Sequence, residues 1–324
     1  MSSMSRTFAL AWIALAAVLS PAAAQDYPNR PITLIVPFPP GGSTTVMARN
    51  VADKMAATLG QQVVVDNRGG AGGTLGTRVV AKAAPDGYTI GLGYTGTLSI
   101  APGLYANPGY DVRKDFVPIG MIGTAPSVLV VHPSVPAKTV AEFIDYARKS
   151  ATPITYGSPG TGTANHLAAE LFANAAKLKL THIPYKGSGP AMNDLVGGHI
   201  PMSFVPIPAA IGNVQGGRLR GLAVTSPKRS ALLPDLPSMQ EAGLAGFEVA
   251  LRYGLIAPAG TPRPIIDKLN KALNAALTSD EVKKRLITEG AEALPGPPEA
   301  YGQDIDNEEK KWSKVVKRLG LKVE

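Results

Sequence analysis

Residues 31–49 have the sequence PITLIVPFPPGGSTTVMAR. The β-branched run at residues 32–36 is typical of a buried parallel strand, and the apolar spacing over residues 44–59 predicts a helix with a hydroxyl cap at Ser43 or Thr44. A Pro- and Gly-rich turn therefore joins a strand to a helix N-terminus. Because the first N–H groups of a helix have no intrahelical acceptor and the helix dipole favours negative charge, this turn predicts a main-chain site for a carboxylate or phosphate.

The same strand–turn–helix order repeats along the chain. Predicted strands at 63–65 and 88–92 enclose a predicted helix at 72–83, which is the rhythm of a doubly wound sheet, and a second series of strands and helices runs from residue 127 to residue 224. Residues 117–121 and 127–131 are predicted as two separate strands. We therefore expect an α/β fold of two lobes, each a doubly wound and mainly parallel sheet, with a ligand cleft between them. The predicted boundaries are 25–123 for the first part of lobe 1, 124–246 for lobe 2 and 247–324 for a return to lobe 1 with C-terminal helices, with crossings near Gly123 and Gly246.

The start of the chain has the pattern of a secretory signal peptide. A short segment with one positive charge at Arg6 precedes an apolar core at residues 8–19, and Ala22-Ala23-Ala24 supplies the small residues of a cleavage site. No later stretch of about 20 apolar residues predicts a membrane span. We expect cleavage after Ala24 and export of the mature protein.

Charge and cysteine content narrow the function classes. The chain has 32 Lys and Arg against 24 Asp and Glu, a formal net charge of +8, but the basic residues are scattered. The one dense basic stretch, residues 310–318, is predicted to be the solvated face of a C-terminal helix, so nucleic acid is not an expected partner and the positive field favours small anions. With no cysteine, disulfides and thiolate chemistry are excluded.

A second Gly-rich turn, YGSPGTGTANH at residues 156–166, also joins a strand to a helix. If the two lobes face each other, both helix N-termini point at one crevice. His166 lies one turn into its helix and is a candidate ligand donor or, alternatively, a histidine satisfied within the interface. Its i, i+4 spacing to Glu170 fits a metal pair only weakly, and no Gly-x-Ser-x-Gly elbow or phosphate-loop lysine is present, so no metal, cofactor or catalytic agent is expected.

Three further positions are candidates for the cleft. Tyr94-Thr95 and Tyr185-Lys186 each follow a predicted strand, one in each lobe. Arg252 precedes the second crossing, where a guanidinium can bind a carboxylate with two parallel hydrogen bonds. Three of these residues have a plain structural alternative: packing for Tyr185, a surface charge for Lys186, and an ion pair elsewhere for Arg252.

Several motifs in order along the chain resemble those of the TctC or Bug family, the periplasmic solute receptors of tripartite tricarboxylate transporters. They are YPNRPI at 27–32, VPFPPGG at 36–42, DNRGGAGG at 66–73, PDGYT at 85–89, KDFVPI at 114–119, IPYKG at 183–187 and APAGTP at 257–262. The resemblance implies a two-lobed Venus-flytrap fold, no catalysis, and capture of a small carboxylate for delivery to a membrane permease. It also implies that main-chain and hydroxyl groups of the two Gly-rich loops hold the carboxylate.

Two departures from the family pattern bear on the ligand. The family's first loop usually ends in Asp, where this chain has Thr45, and its crossing segment usually has Trp where this chain has Arg252. One negative charge fewer and one positive charge more favour a dianion, so we hypothesise an aliphatic or aromatic dicarboxylate, such as a phthalate isomer, whose second carboxylate lies near Arg252. A secreted enzyme that acts on a carboxylate with His166 as its acid or base is the alternative, and a monomer is expected. The predicted ligand-binding residues are Phe38, Pro40, Gly41, Gly42, Ser43, Thr44, Thr45, Tyr94, Thr95, Ser158, Thr161, Gly162, Thr163, His166, Tyr185, Lys186 and Arg252.

Overall fold

The computed structural model describes residues 27–288 and 290–323. The signal peptide predicted at residues 1–24 lies outside them. The strands are β1 Ile32–Val36, β2 Val63–Asn67, β3 Thr89–Tyr94, β4 Phe116–Val131, β5 Ile154–Ser158, β6 Leu180–Pro184, β7 Met202–Pro206, β8 Arg220–Val224, β9 Ala250–Pro258 and β10 Glu292–Ala293. The α-helices are α1 Ser43–Leu59, α2 Thr74–Ala81, α3 Ala101–Leu104, α4 Val112–Asp115, α5 Val140–Lys149, α6 Ala164–Ala176, α7 Ser188–Val196, α8 Ile207–Gln215, α9 Arg263–Thr278, α10 Asp280–Thr288 and α11 Pro298–Leu319.

Lobe 1 is built on a sheet with the strand order β2-β1-β3-β9-β4. Strands β2, β1 and β3 are parallel, as the alternation of strands and helices predicts. Strand β9 is antiparallel to both β3 and β4 because it returns from the other lobe. The carboxyl ends of β1 and β3 therefore lie at one edge, where the Gly-rich turn before α1 begins.

Lobe 2 repeats this arrangement around strand β5. Strands β6, β5 and β7 are parallel, and the end of β4 lies antiparallel to β7 and β8. The turn between β5 and α6 leaves the carboxyl edge of this sheet, as its counterpart does in lobe 1. The predicted two-lobed α/β fold is confirmed.

Strand β4 belongs to both sheets. Its first part, through Pro126, pairs with β9, and its last part, from Ser127, pairs with β7 and β8. The prediction of two separate strands here was wrong, because pairing with β9 and then with β7 and β8 keeps the backbone extended through all 16 residues. The predicted lobe boundaries stay predictions; strand pairing changes partner three residues after Gly123.

The C-terminal helix α11 packs back on lobe 1 with Trp312 and Val316 buried. In the part of the chain that the structure describes, none of the helices combines the length and the hydropathy needed to cross a membrane.

Candidate functional site

The second Gly-rich loop contacts lobe 1 across the cleft. The hydroxyl of Tyr105 in lobe 1 donates a 2.9 Å hydrogen bond to the carbonyl oxygen of Thr161 in lobe 2. Gly72 lies so close to the same carbonyl that an added Cβ would stand 2.3 Å from the oxygen. The structure is therefore a closed form, in which both lobes contribute to one site.

A small cavity is enclosed between the lobes beside these contacts, and we call it the inner cavity. Its volume is about 10 Å³, close to that of a single water site. Among the described residues that line it, none is charged. The lining consists of Phe38, Thr44, Tyr94, Pro159, Thr163, Asn165, Ser188 and Leu251.

The polar part of this lining comes from the first turns of three helices. Thr44 lies at the start of α1, Thr163 and Asn165 at the start of α6, and Ser188 at the start of α7. Among the described residues, no side chain caps α1 at Gly42 or α7 at Gly187, and none of the three first turns contains an acidic residue. Three positive helix ends thus converge on one neutral cavity, which favours an anion without a basic side chain.

Aromatic rings close one side of the inner cavity. Phe38 and Tyr94 pack edge to face with their ring centroids 5.2 Å apart. Burial raises the pKa of Tyr94 well above its ordinary value, so the phenol is neutral. An anion in the inner cavity thus meets helix ends on one side and an apolar wall on the other.

A larger space of about 380 Å³, which we call the outer cavity, adjoins the inner one and shares Phe38 and Pro159 with it. Thr161, Tyr185 and Lys186 line it. The Tyr185 hydroxyl donates a 2.6 Å hydrogen bond to Asp194, and burial is the main reason that the pKa of this tyrosine rises to about 12. Lys186 is the one charged residue that lines the outer cavity within the described chain.

Behind the second loop, a buried cluster holds its backbone. The Ser158 hydroxyl lies 2.7 Å from His182 Nε2, and Gly162 N–H donates to His166 Nδ1 at 3.3 Å. The rings of His166 and His182 stack with centroids 4.1 Å apart. Burial, and then repulsion from His182, lowers the pKa of His166 to about 3, while burial lowers the pKa of His182 to about 4.

This arrangement makes His166 a support for the loop. Its ring nitrogen accepts from the main chain of Gly162, and the residue does not line the inner or the outer cavity. A neutral histidine in that position is no acid or base for a ligand. Thr163 supports the same turn from its other end, because its hydroxyl donates to Gly160 and accepts from the N–H of His166.

Arg252 was predicted to face the ligand, and the structure does not support this. Its guanidinium lies 3.0 Å from Asp304 and 3.3 Å from Glu308, both on α11. The reason is the alternation of side chains along β9: Leu251 lines the inner cavity, so the next side chain points to the opposite face of the strand. The sequence contained this signal, because Leu251 and Tyr253 are apolar and share one face.

Thr45 and Thr95 are also directed to other partners. Thr45 Oγ1 accepts a 2.8 Å hydrogen bond from Asn67 of β2, and Thr95 Oγ1 accepts one of the same length from the N–H of Arg252. Neither residue lines the inner cavity. The departure from the family pattern at Thr45 therefore changes a contact with β2 in this structure, and the prediction that it marks the ligand lacks support.

The remaining predicted residues lie in the first loop. Pro40 and Gly41 are exposed and do not line either cavity, and Gly42 is the residue that precedes α1. The side chain of Ser43 lies outside the described part of the structure. The first loop thus contributes Phe38 and Thr44 to the inner cavity.

Four residues of the inner cavity were not among the predicted ligand-binding residues: Pro159, Asn165, Ser188 and Leu251. Ser188 follows the glycine of the Tyr185-Lys186-Gly187 loop and opens a helix, so the signal used for the first two loops was present there as well. The amide of Asn165 is fixed by donation to Ser127 and to the carbonyl of Phe204. Among the described residues no cluster of His, Asp or Glu has the arrangement to hold a metal ion.

A two-lobed α/β fold that closes on a neutral cavity formed by helix ends defines the class of periplasmic solute-binding proteins. The sequence model of the tripartite tricarboxylate transporter family receptor, TctC, matches residues 47–321. The chain is 39% identical to protein BugT of Bordetella pertussis over 314 residues, 96% of each chain. The chain belongs to the TctC family.

Two solved structures are also similar to this chain. Rhodopseudomonas palustris Rpa4515 with adipate has a TM-score of 0.89 and 37% identity, over 91% of this chain and 99% of that one. MatC of the same organism, with bound malate, has a TM-score of 0.86 and 35% identity, over 90% of this chain and 100% of that one. The chain is therefore a periplasmic solute-binding receptor of the TctC type and not an enzyme, which excludes the alternative built on His166.

Proposed function

We propose that this receptor captures a small dicarboxylate and delivers it to the membrane permease of a tripartite tricarboxylate transporter. The observation that carries the proposal is the convergence of three helix N-termini on the neutral inner cavity. The similar structures with adipate and malate support it, since both ligands carry two carboxylates. Aliphatic and aromatic dicarboxylates both remain candidates.

The two cavities suggest where the two ends of such a ligand bind. The inner cavity has room for one small polar group, so one carboxylate binds there, next to Thr44 and Ser188. The rest of the ligand extends into the outer cavity, which is large enough for a short chain or a ring. Lys186, in the role predicted for Arg252, then attracts the second carboxylate.

Isothermal titration calorimetry tests this assignment with adipate, malate, phthalate and hexanoate. We expect at least one dicarboxylate to bind at least tenfold more tightly than hexanoate, and mass spectrometry to recover it unchanged. Lys186→Gln should remove most of that preference, whereas Lys179→Gln, an exposed lysine in the same lobe, should not. Equal binding of hexanoate and the dicarboxylates would contradict the proposal.

Export completes the proposed function. Cleavage after Ala24 would release a mature protein that acts as a monomer in the periplasm, where its family functions. The N-terminal mass of protein isolated from the periplasm tests the cleavage site, and sedimentation tests the monomer.

A further inference from the structure

A second large cavity, the hinge cavity, lies on the other face of the two strands that connect the lobes. In β9, Ala250 and Arg252 line this cavity, whereas Leu251 between them lines the inner cavity. In β4, Thr124 and Pro126 line it on either side of the fully buried Ala125. Since neighbouring side chains on a strand point to opposite faces, the hinge cavity and the ligand cleft lie on opposite sides of the hinge.

Each lobe supplies one wall of the hinge cavity. Residues 226–232, which follow β8, form the wall of lobe 2, and α10 with β10 forms the wall of lobe 1. Helix α10 is fixed to lobe 1 by an ion pair between Glu281 and Lys54 of α1, at 2.7 Å. The width of the cavity therefore depends on the angle between the lobes.

The direction of this dependence follows from the position of the hinge. Rotation that opens the ligand cleft brings the two walls of the hinge cavity together, and rotation that closes the cleft moves them apart. In the closed form described here the hinge cavity measures about 780 Å³. A molecule that fills it opposes opening of the cleft.

The lining indicates what kind of molecule fits. The walls present apolar side chains, including Leu232 and Ile287, and Ile287 is 62% exposed, the largest exposure among the large apolar residues described. A volume near 780 Å³ lies in the range of small-molecule sites. An apolar ligand would cover surface that otherwise faces water.

The charged residues that line the hinge cavity are paired or balanced, which favours an uncharged ligand. Two of the four cations that line the cavity are paired: Arg229 with Glu241 and Arg252 with Asp304. The other charged lining residues form no ion pair within residues 27–288 and 290–323 and balance one another. They are Lys228, Lys283, Glu248 and Glu292.

We propose that the hinge cavity is a regulatory site for an uncharged, apolar small molecule, and that its occupancy holds the cleft closed and raises the affinity for the carboxylate. The proposal rests on the proposed receptor function, because the affinity for the carboxylate is the quantity that reports occupancy of the hinge cavity. Coupling between two sites is reciprocal, so the carboxylate must raise the affinity of the apolar molecule by the same factor.

The first test uses N-phenyl-1-naphthylamine, an uncharged fluorescent probe, on the mature protein. We expect saturable binding that Ile287→Ser weakens at least fivefold. Val79→Ser, which removes a similarly exposed apolar side chain from α2, is the matched control and should bind like the wild type. Equal probe affinity in all three proteins overturns the proposal.

The second test fills part of the hinge cavity with a larger side chain. Ala231→Trp adds an apolar wedge to the wall of lobe 2 and should raise the adipate affinity about fivefold, whereas Ala151→Trp, at an exposed alanine elsewhere in that lobe, should not. Equal adipate affinities in the two variants overturn the proposal. So does a probe that weakens adipate binding, because it then occupies the cleft.

Failure of the receptor function would be recognised separately. If the wild type binds no carboxylate, the probe titration still tests the site, and small-angle scattering tests the wedge without any ligand. Ala231→Trp should then give a smaller radius of gyration than Ala151→Trp, and an equal radius overturns the proposal.

Discussion

Arg252 Nη1 lies 3.0 Å from Asp304 Oδ1, and this ion pair joins strand β9 at the hinge to helix α11. Burial raises the pKa of Asp304, and the guanidinium partly offsets that effect. The pair is only partly accessible to solvent, so its loss leaves a carboxylate in a poor environment. Arg252 therefore acts on stability and on the hinge, away from the ligand.

We predict that Arg252→Met lowers the free energy of unfolding by about 2 kcal/mol, between the values for exposed and buried ion pairs. The ratio of dicarboxylate to monocarboxylate affinity should stay within twofold of the wild type, because the hinge acts on both ligands alike. Urea denaturation and calorimetry measure the two quantities. A selective loss of dicarboxylate binding would restore Arg252 to the ligand site.

Neighbouring threonines at the start of α1 offer a second prediction. Thr44 lines the inner cavity and Thr45 accepts a hydrogen bond from Asn67. Thr44→Val should weaken carboxylate binding about tenfold, the value of a hydrogen bond to a charged group. Thr45→Val should lower the unfolding free energy by about 1 kcal/mol and leave the affinity within threefold. Calorimetry showing the reverse order would mean that the side chain of Thr45 faces the ligand.

Closure of the cleft can be tested at Gly72. Its φ is +62°, and an added Cβ would stand 2.3 Å from the Thr161 carbonyl in the other lobe. Gly60 has a similar φ of +71° and open space around its Cα. Both alanine variants should lose about 1 kcal/mol of stability from the left-handed backbone, but only Gly72→Ala should weaken the carboxylate, at least tenfold. Equal affinities would show that binding does not require this contact.

The stacked histidines predict a dependence of stability on pH. Their folded pKa values, about 3 for His166 and about 4 for His182, lie below the ordinary 6.5. As the pH falls below 6.5, these histidines bind protons in the unfolded chain but stay neutral in the folded chain. The free energy of unfolding therefore decreases until the pH nears 4.

The size of this effect has an upper limit of about 2 kcal/mol for each histidine at pH 5. We expect about half of that for His182, since it is less deeply buried. Urea denaturation at pH 8 and pH 5 measures the loss, and His182→Gln should reduce it. An unchanged difference in that variant would show that other groups cause the pH dependence.

The sequence alone predicted the fold and the use of helix N-termini in the ligand site. Strand, Gly-rich turn and helix at residues 31–49 and 156–166 were predicted from apolar spacing and turn residues alone, and both helix starts line the inner cavity. These features are local, so a single sequence contains them.

The individual side chains were harder to predict because their direction depends on pairing between distant strands. Arg252 faces away from the ligand because Leu251 of the same strand faces the cleft, and the hydroxyl of Thr45 is taken by Asn67 of β2. Ser188 was missed because the loop before α7 was judged by its charged and aromatic residues. In all three errors, the chemistry of single side chains was given more weight than strand alternation and helix ends.

Strand β4 has a consequence for dissecting this receptor into parts. Its 16 residues pass from one sheet into the other without an intervening loop, so any cut between the lobes must divide this strand. A lobe 2 fragment that begins at Ser127 would keep the pairing with β7 and β8 but lose the part of β4 that pairs with β9. The two lobes should therefore fold and unfold as one cooperative unit, although they move as two bodies when they capture a ligand.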